Sequence, residues 1–136
     1  MKSLGQQLIV ELYGCDRTLL DDPSRLEQIL TESIRRSGGT IIRPCFHQFS
    51  PHGVTGVVVI AESHVSIHTW PEFGYCALDV FTCGTQVQTD QIFEYVRSEL
   101  QAQETSVMEV KRGTLVLPPH EELRHKPMEA IPPAGA

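Results

Sequence analysis

The sequence predicts an α+β protein, a two-layer α/β sandwich with a mainly antiparallel sheet and two helices on one face. Three observations lead there. From Gly53 to Gly84 the chain is a succession of β-branched or alternating apolar runs broken by short turn signals, the pattern of hairpins rather than of strands joined by helices. Helical periodicity occurs in two stretches, Leu26 to Ile34 and Ile92 to Leu100. Two helices can cover only one face of a sheet, so the other is left to solvent or to a second copy of the chain. A chain of 136 residues suggests one domain, placed at residues 1–114, followed by a proline-rich tail over 115–136.

Residues Gln7 to Leu12 read as a first strand, closed by Tyr13-Gly14. Asp22 then caps a helix with Pro23 at its first position; Leu26, Ile29, Leu30 and Ile34 form its apolar stripe, and Gly38-Gly39 ends it. Thr40 to Phe49 is a second strand, irregular at Pro44, which cannot donate to a ladder. The unbroken Val57-Val58-Val59-Ile60 suggests a central strand buried on both faces. Next, Val65, Ile67 and Thr69 alternate with His64, Ser66 and His68. Pro71 and Gly74 mark a turn, and Tyr75 to Phe81 returns, leaving Cys83-Gly84 just past the strand end. Thr89 or Asp90 caps a second helix with Ile92, Phe93, Val96 and Leu100 on its apolar face. Thr105 to Lys111 is a last strand, which Gly113 breaks; beyond about His120 the chain is expected to be extended or disordered.

Composition narrows the function. A formal net charge of −6 and the lack of a basic run argue against nucleic acid. No apolar run approaches the ~18 residues of a membrane span, and the amino end shows no signal-peptide pattern, so a cytoplasmic protein is expected. Cys15, Cys45, Cys76 and Cys83 are scattered, without a Cys-x-x-Cys pair, and reduced thiols are the default.

Four chemically capable residues, Glu62, Ser63, His68 and Cys83, fall within one strand and one hairpin of each other. His64 and His68 have the spacing of a helical zinc pair, but on a strand they stand roughly 13 Å apart, so no metal site is expected. A Ser/His hydrolase would need a Gly-x-Ser-x-Gly elbow, which is absent, and an Asp to orient His68. Solvated polar residues on a sheet face would explain any one of the four, but not their density.

The strings AESHVSIHTWPE and YCALDVFTCG, with FHQFSPHGVTGVVVI before them and LIVELYGCDRTLLDD near the amino end, resemble the pyruvoyl-dependent S-adenosylmethionine decarboxylases of the short prokaryotic type. The likeness spans most of residues 4–113. It implies a zymogen that cleaves itself between Glu62 and Ser63, giving a beta chain 1–62 and an alpha chain 63–136. Ser63 Oγ would attack the Glu62 carbonyl to form an ester. A base, His68 by the resemblance, would remove the Ser63 Cα proton, and elimination followed by loss of ammonia would leave a covalent pyruvoyl group. That group would take the substrate amine as a Schiff base and act as electron sink while carbon dioxide leaves. Cys83 is the implied proton donor, since a thiol holds its proton at neutral pH yet yields it readily.

The resemblance further implies that Phe49 lies against the nucleoside or sulfonium of S-adenosylmethionine and that Glu72 clamps the ribose hydroxyls. Thr55 stands where related sequences usually carry a processing-assisting serine; the added methyl group would slow cleavage. The expected assembly is a homodimer with shared active sites, in which Phe49 or Glu72 serves the partner's Ser63. In a regular strand Ser63 and His68 would face opposite sides, which calls for a bulge or turn between Glu62 and Val65. The implied product, decarboxylated S-adenosylmethionine, supplies the aminopropyl group for spermidine synthesis. Two alternatives stay open: the same chemistry on arginine or ornithine, which the Arg43-Pro44-Cys45 and Gln86–Gln91 segments leave possible, and an uncleaved, non-enzymatic nucleoside-binding paralogue, supported by Thr55 alone.

Overall fold

A computed structural model describes residues 2–123; the carboxy-terminal part of the expected extended tail, with Pro127, Pro132 and Pro133, lies outside them. Six strands form one sheet in the order β2-β3-β4-β5-β1-β6: β1 Lys2–Tyr13, β2 Ile41–Gln48, β3 Val54–Ile60, β4 Ser63–Trp70, β5 Tyr75–Cys83 and β6 Glu104–Leu115. Every neighbouring pair is antiparallel. The helices are α1 Arg17–Leu20, α2 Pro23–Arg36 and α3 Thr89–Leu100. A 3₁₀ turn, Pro71–Phe73, joins β4 to β5, and none of the described helices is long and apolar enough to cross a membrane.

The core lies between one sheet face and the two long helices. Val10 and Leu12 of β1, Val58 of β3, Ile67 of β4 and Val80 of β5 meet Leu26, Leu30 and Ile34 of α2 and Ile92, Val96 and Leu100 of α3, all of them buried. The Asp22 carboxylate accepts from the Arg25 N–H, so α2 starts as Pro23 and its cap foretell. Burying such side chains contributes roughly 1.5–3 kcal/mol each, and this apolar layer holds the two-layer arrangement together.

The structure corrects several expectations. β3 is not buried on both faces: Val54, Gly56, Val58 and Ile60 face the helices while Val59 is exposed, because no second helical layer covers the other face. β1 begins at Lys2, since Lys2 and Ser3 pair with Leu115 and Thr114 of β6 before β5 joins at Gly5, and long-range hydrogen bonds outweigh weak local propensity. β6 runs through Gly113 to Leu115; Gly113, at φ +66°, keeps the register with β1, with the Leu4 side chain packed where a Cβ would be. α1, capped by Asp16, adds a helical turn that its length hid. α3 is capped by Gln88 without a side-chain bond, so neither Thr89 nor Asp90 is the cap; Thr89 is the first helical residue, and its Oγ1 accepts from Gln6 Nε2. Cys83 closes β5 rather than following it.

Candidate active site

The turn between β3 and β4 is only Ala61-Glu62, with Ile60 paired to Ser63. It is tied down on both sides. The Ala61 N–H donates to the Thr40 carbonyl at 2.9 Å, the Thr40 N–H donates to Glu62 Oε1 at 3.0 Å, and the Cys83 N–H donates to the Glu62 carbonyl at 2.9 Å. Glu62 is 3 % exposed, and its Oε2 is buried without a hydrogen-bond partner among the described residues.

No bulge lies between Glu62 and Val65: β4 keeps one register with β3 and one with β5 from Ser63 onward. The tight turn is instead absorbed at Ser63, whose φ of +148° is a region that side-chain-bearing residues rarely adopt. A regular pleat would aim Ser63 with Val65 and Ile67 at the helices. With this backbone, Ser63 Oγ lies 3.5 Å from Cys83 Sγ, and both line a hollow of about 480 Å³ on the open face of the sheet with Leu4, His64, Phe81, Arg112 and Gly113. The expected inversion exists, achieved by one dihedral.

The hollow has a defined wall and floor. The His64 ring stacks on Phe81 with centroids 5.7 Å apart, and the Arg112 guanidinium lies 5.3 Å from the centre of the same ring. Gly5 pairs with Cys83 on one side and Arg112 on the other, so the position between thiol and guanidinium carries no side chain. A Cβ at Gly5 would lie 2.8 Å from Cys83 Sγ. Sequence reasoning missed Gly5, His64, Phe81 and Arg112; only β4–β5 alternation hinted at the His64–Phe81 pair, because the rest depends on β1 and β6 lying beside β5.

The remaining candidates sit at the other end of the sheet. His68 Nδ1 is 3.0 Å from Thr55 Oγ1, the cross-strand partner of His68. Five residues of strand separate His68 from Ser63, about 16 Å at ~3.3 Å per residue, and His68 does not line the Ser63 hollow. Phe49 is half exposed, its ring edge-on to His47 at 4.7 Å. Glu72, in the 3₁₀ turn, pairs with His52 Nε2 at 3.0 Å and lines a separate polar hollow with Arg17 and Asp21. Its own backbone N–H, followed by His52, holds its carboxyl below the usual range. Chain order had grouped Ser63 with His68; the fold puts Glu62, Ser63 and Cys83 together and Thr55, His68, Phe49 and Glu72 at the opposite end.

The four cysteines are free. Burial pushes the Cys15 thiol up to about 11 and the fully buried Cys76 well above its ordinary value, which keeps both protonated and inert. Cys83 alone among them stands beside Ser63. Among the described residues no group of three or more His, Cys, Asp or Glu is arranged to hold a metal ion.

This arrangement can be compared with known proteins. A family model described as S-adenosylmethionine decarboxylase matches residues 6–113. The S-adenosylmethionine decarboxylase proenzyme of Thermotoga maritima is 50% identical over 113 residues, covering 83% of this chain and 87% of that protein. The proenzyme of the same name from Acidithiobacillus ferrooxidans is 45% identical over 129 residues, covering 93% of this chain and 97% of its own length. Among solved structures, the adenosylmethionine decarboxylase of Aquifex aeolicus superposes with a TM-score of 0.82 at 33% identity, over 89% of this chain and all of that one.

Proposed function

Because this chain belongs to the S-adenosylmethionine decarboxylase family, we infer that it is a self-processing carboxy-lyase that converts S-adenosylmethionine to its decarboxylated form and carbon dioxide, a cytoplasmic step toward spermidine. The observation that carries the reading is the Glu62–Ser63 peptide itself: Ser63 at φ +148°, its hydroxyl against Cys83, its scissile carbonyl already accepting from the Cys83 N–H.

The residues fit formation of a pyruvoyl group from Ser63. Ser63 Oγ attacks the Glu62 carbonyl carbon, and the Cys83 N–H, aimed at the carbonyl oxygen, stabilises the negative charge that develops there. The backbone strain at Ser63 raises the energy of the intact peptide relative to the ester. Loss of the Ser63 Cα proton to a base then expels the Glu62 carboxylate and leaves a dehydroalanine, which takes up water and loses ammonia to become the pyruvoyl group. The buried Glu62 side chain, anchored on the Thr40 N–H, holds the departing end in place. The resulting group supplies an electron sink for the bond to the leaving carboxylate. Cys83, beside residue 63, returns a proton to the carbon left behind.

The base comes from a second copy. His68, oriented by Thr55, is too far along its own strand to reach its own Ser63, and it lies toward the same end of the sheet as Phe49, which follows β2, and Glu72, in the 3₁₀ turn after β4. A two-fold homodimer packed through the open faces places the Thr55–His68 end of each protomer over the Ser63–Cys83 end of the other. Phe49 then serves the nucleoside and Glu72 the ribose of a substrate bound to the partner's residue 63.

Intact mass under denaturing conditions, with carbon dioxide release measured on S-adenosylmethionine, arginine and ornithine, tests the reading. Two fragments, 1–62 and a 63–136 piece lacking the serine amine, with turnover of S-adenosylmethionine alone, are expected. A persistently single chain, or carbon dioxide from an amino acid only, would sink it.

A further inference from the structure

We propose that Arg112 recognises the α-carboxylate of the substrate, and so sets the preference for the acid over its decarboxylated product; the assignment rests on the decarboxylase reading. Among the described residues lining the Ser63 hollow, Arg112 carries the only permanent charge. Its guanidinium is held in two ways: it lies over Phe81, and Nη1 donates to Gln7 Oε1 at 2.7 Å. Nε and Nη2 have no side-chain partner among the described residues, so an edge of the planar donor fork remains free.

The register supplies the geometry. Cys83, Gly5 and Arg112 occupy one cross-strand row over β5, β1 and β6; the Cys83 thiol leans into the place a Gly5 side chain would take, so no side chain stands between thiol and guanidinium. A substrate whose amine has joined residue 63 beside Cys83 carries its carboxylate on the adjacent carbon, within the hollow that Arg112 borders. A guanidinium there binds a carboxylate bidentately. It repels a sulfonium, which orients the substrate with its nucleoside end away from β6. After carbon dioxide departs, the product has no anion to hold, so the interaction favours entry of substrate and release of product. Since the contact is made with the ground state, its loss raises KM more than it lowers kcat.

The test compares processed wild type with Arg112→Gln and Arg112→Lys, using S-adenosylmethionine for turnover and its carboxyl methyl ester, which keeps amine and nucleoside but lacks the anion, for calorimetric binding. For Arg112→Gln the KM is expected to rise about 10- to 100-fold with kcat within about threefold, the ester Kd to change less than about threefold, and Arg112→Lys to recover part of the loss. An unchanged KM, or equal loss of affinity for acid and ester, overturns the assignment and leaves Arg112 as packing for Phe81. A wild-type chain that releases no carbon dioxide refutes the decarboxylase reading itself, before any variant is compared.

Discussion

Replacing Gly5 with alanine probes the site through a residue that carries no chemistry. The added Cβ would stand 2.6 Å from the Thr82 carbonyl oxygen and 2.8 Å from Cys83 Sγ, whereas ordinary contact begins at 3.4 Å. The strand pair must therefore open by about 0.8 Å and the thiol shift by about 0.6 Å, which disturbs its 3.5 Å approach to Ser63 Oγ. Overpacking of this kind costs about 1–3 kcal/mol, offset by roughly 0.5–1 kcal/mol from alanine's better strand entropy. A net loss of about 0–2.5 kcal/mol, at most several degrees in Tm, leaves the protein folded. Catalysis should suffer more, because a displacement approaching 1 Å at a reacting group can cost about 100-fold. Urea melts, the cleaved fraction by intact mass, and kcat on the cleaved material separate these effects. Gly5→Ala with normal cleavage and kcat within twofold of wild type would refute the placement of Cys83 against residue 63.

Other perturbations test the remaining parts. Ser63→Ala should give a single uncleaved chain by mass spectrometry, and Cys83→Ala should keep substrate binding while losing about 10²- to 10⁴-fold in kcat. If the Thr55 hydroxyl orients His68, Thr55→Val and His68→Ala should each slow cleavage by at least tenfold, measured as the half-time of the intact chain, while Thr55→Ser should cleave as fast as wild type or faster. Mixing Ser63→Ala with His68→Ala chains should restore cleavage of the latter, since the mixed dimer joins an intact Ser63 to the partner's intact His68. Asp21 is held below its ordinary value near 3.8, first by the Gly53 N–H and then by the Gln48 amide. Its depressed carboxyl stabilises the fold above that ordinary value, and the contribution is lost as pH falls through the lower folded value. The stability gap between wild type and Asp21→Asn in urea melts should therefore be constant from pH 7 to about 5 and close as pH drops below about 4.

Much of this protein is legible in the chain itself because its signals are local. Asp22-Pro23 and the Leu26–Ile34 stripe specify α2 whatever the rest of the chain does, and the alternation from Val65 to Thr69 specifies which residues of β4 face the core. The concentration of Glu62, Ser63, His68 and Cys83, together with the long string around them, is enough to identify the chemistry. Where local reading fails, a distant partner has the decisive vote. Val57 and Val59 read as core, but the sheet has helices on one side only, and Gly113 reads as a break, but pairing with β1 carries the strand past it.

The sequence alone determined the two long helices, the hairpin order and the kind of reaction, and it singled out the Glu62–Ser63 pair proposed as scissile, since each rests on residues adjacent in the chain. Tertiary structure decided where the chemistry can happen. Only the register of β1 between β5 and β6 sets Gly5 and Arg112 beside Cys83, residues separated by roughly three-quarters of the chain. Only the two-residue turn, pinned by Thr40 and Cys83, forces Ser63 to φ +148° and carries its hydroxyl to the open face. And only the length of an extended strand separates His68 from the Ser63 that it was expected to serve, because a backbone rising ~3.3 Å per residue cannot fold five residues back on themselves.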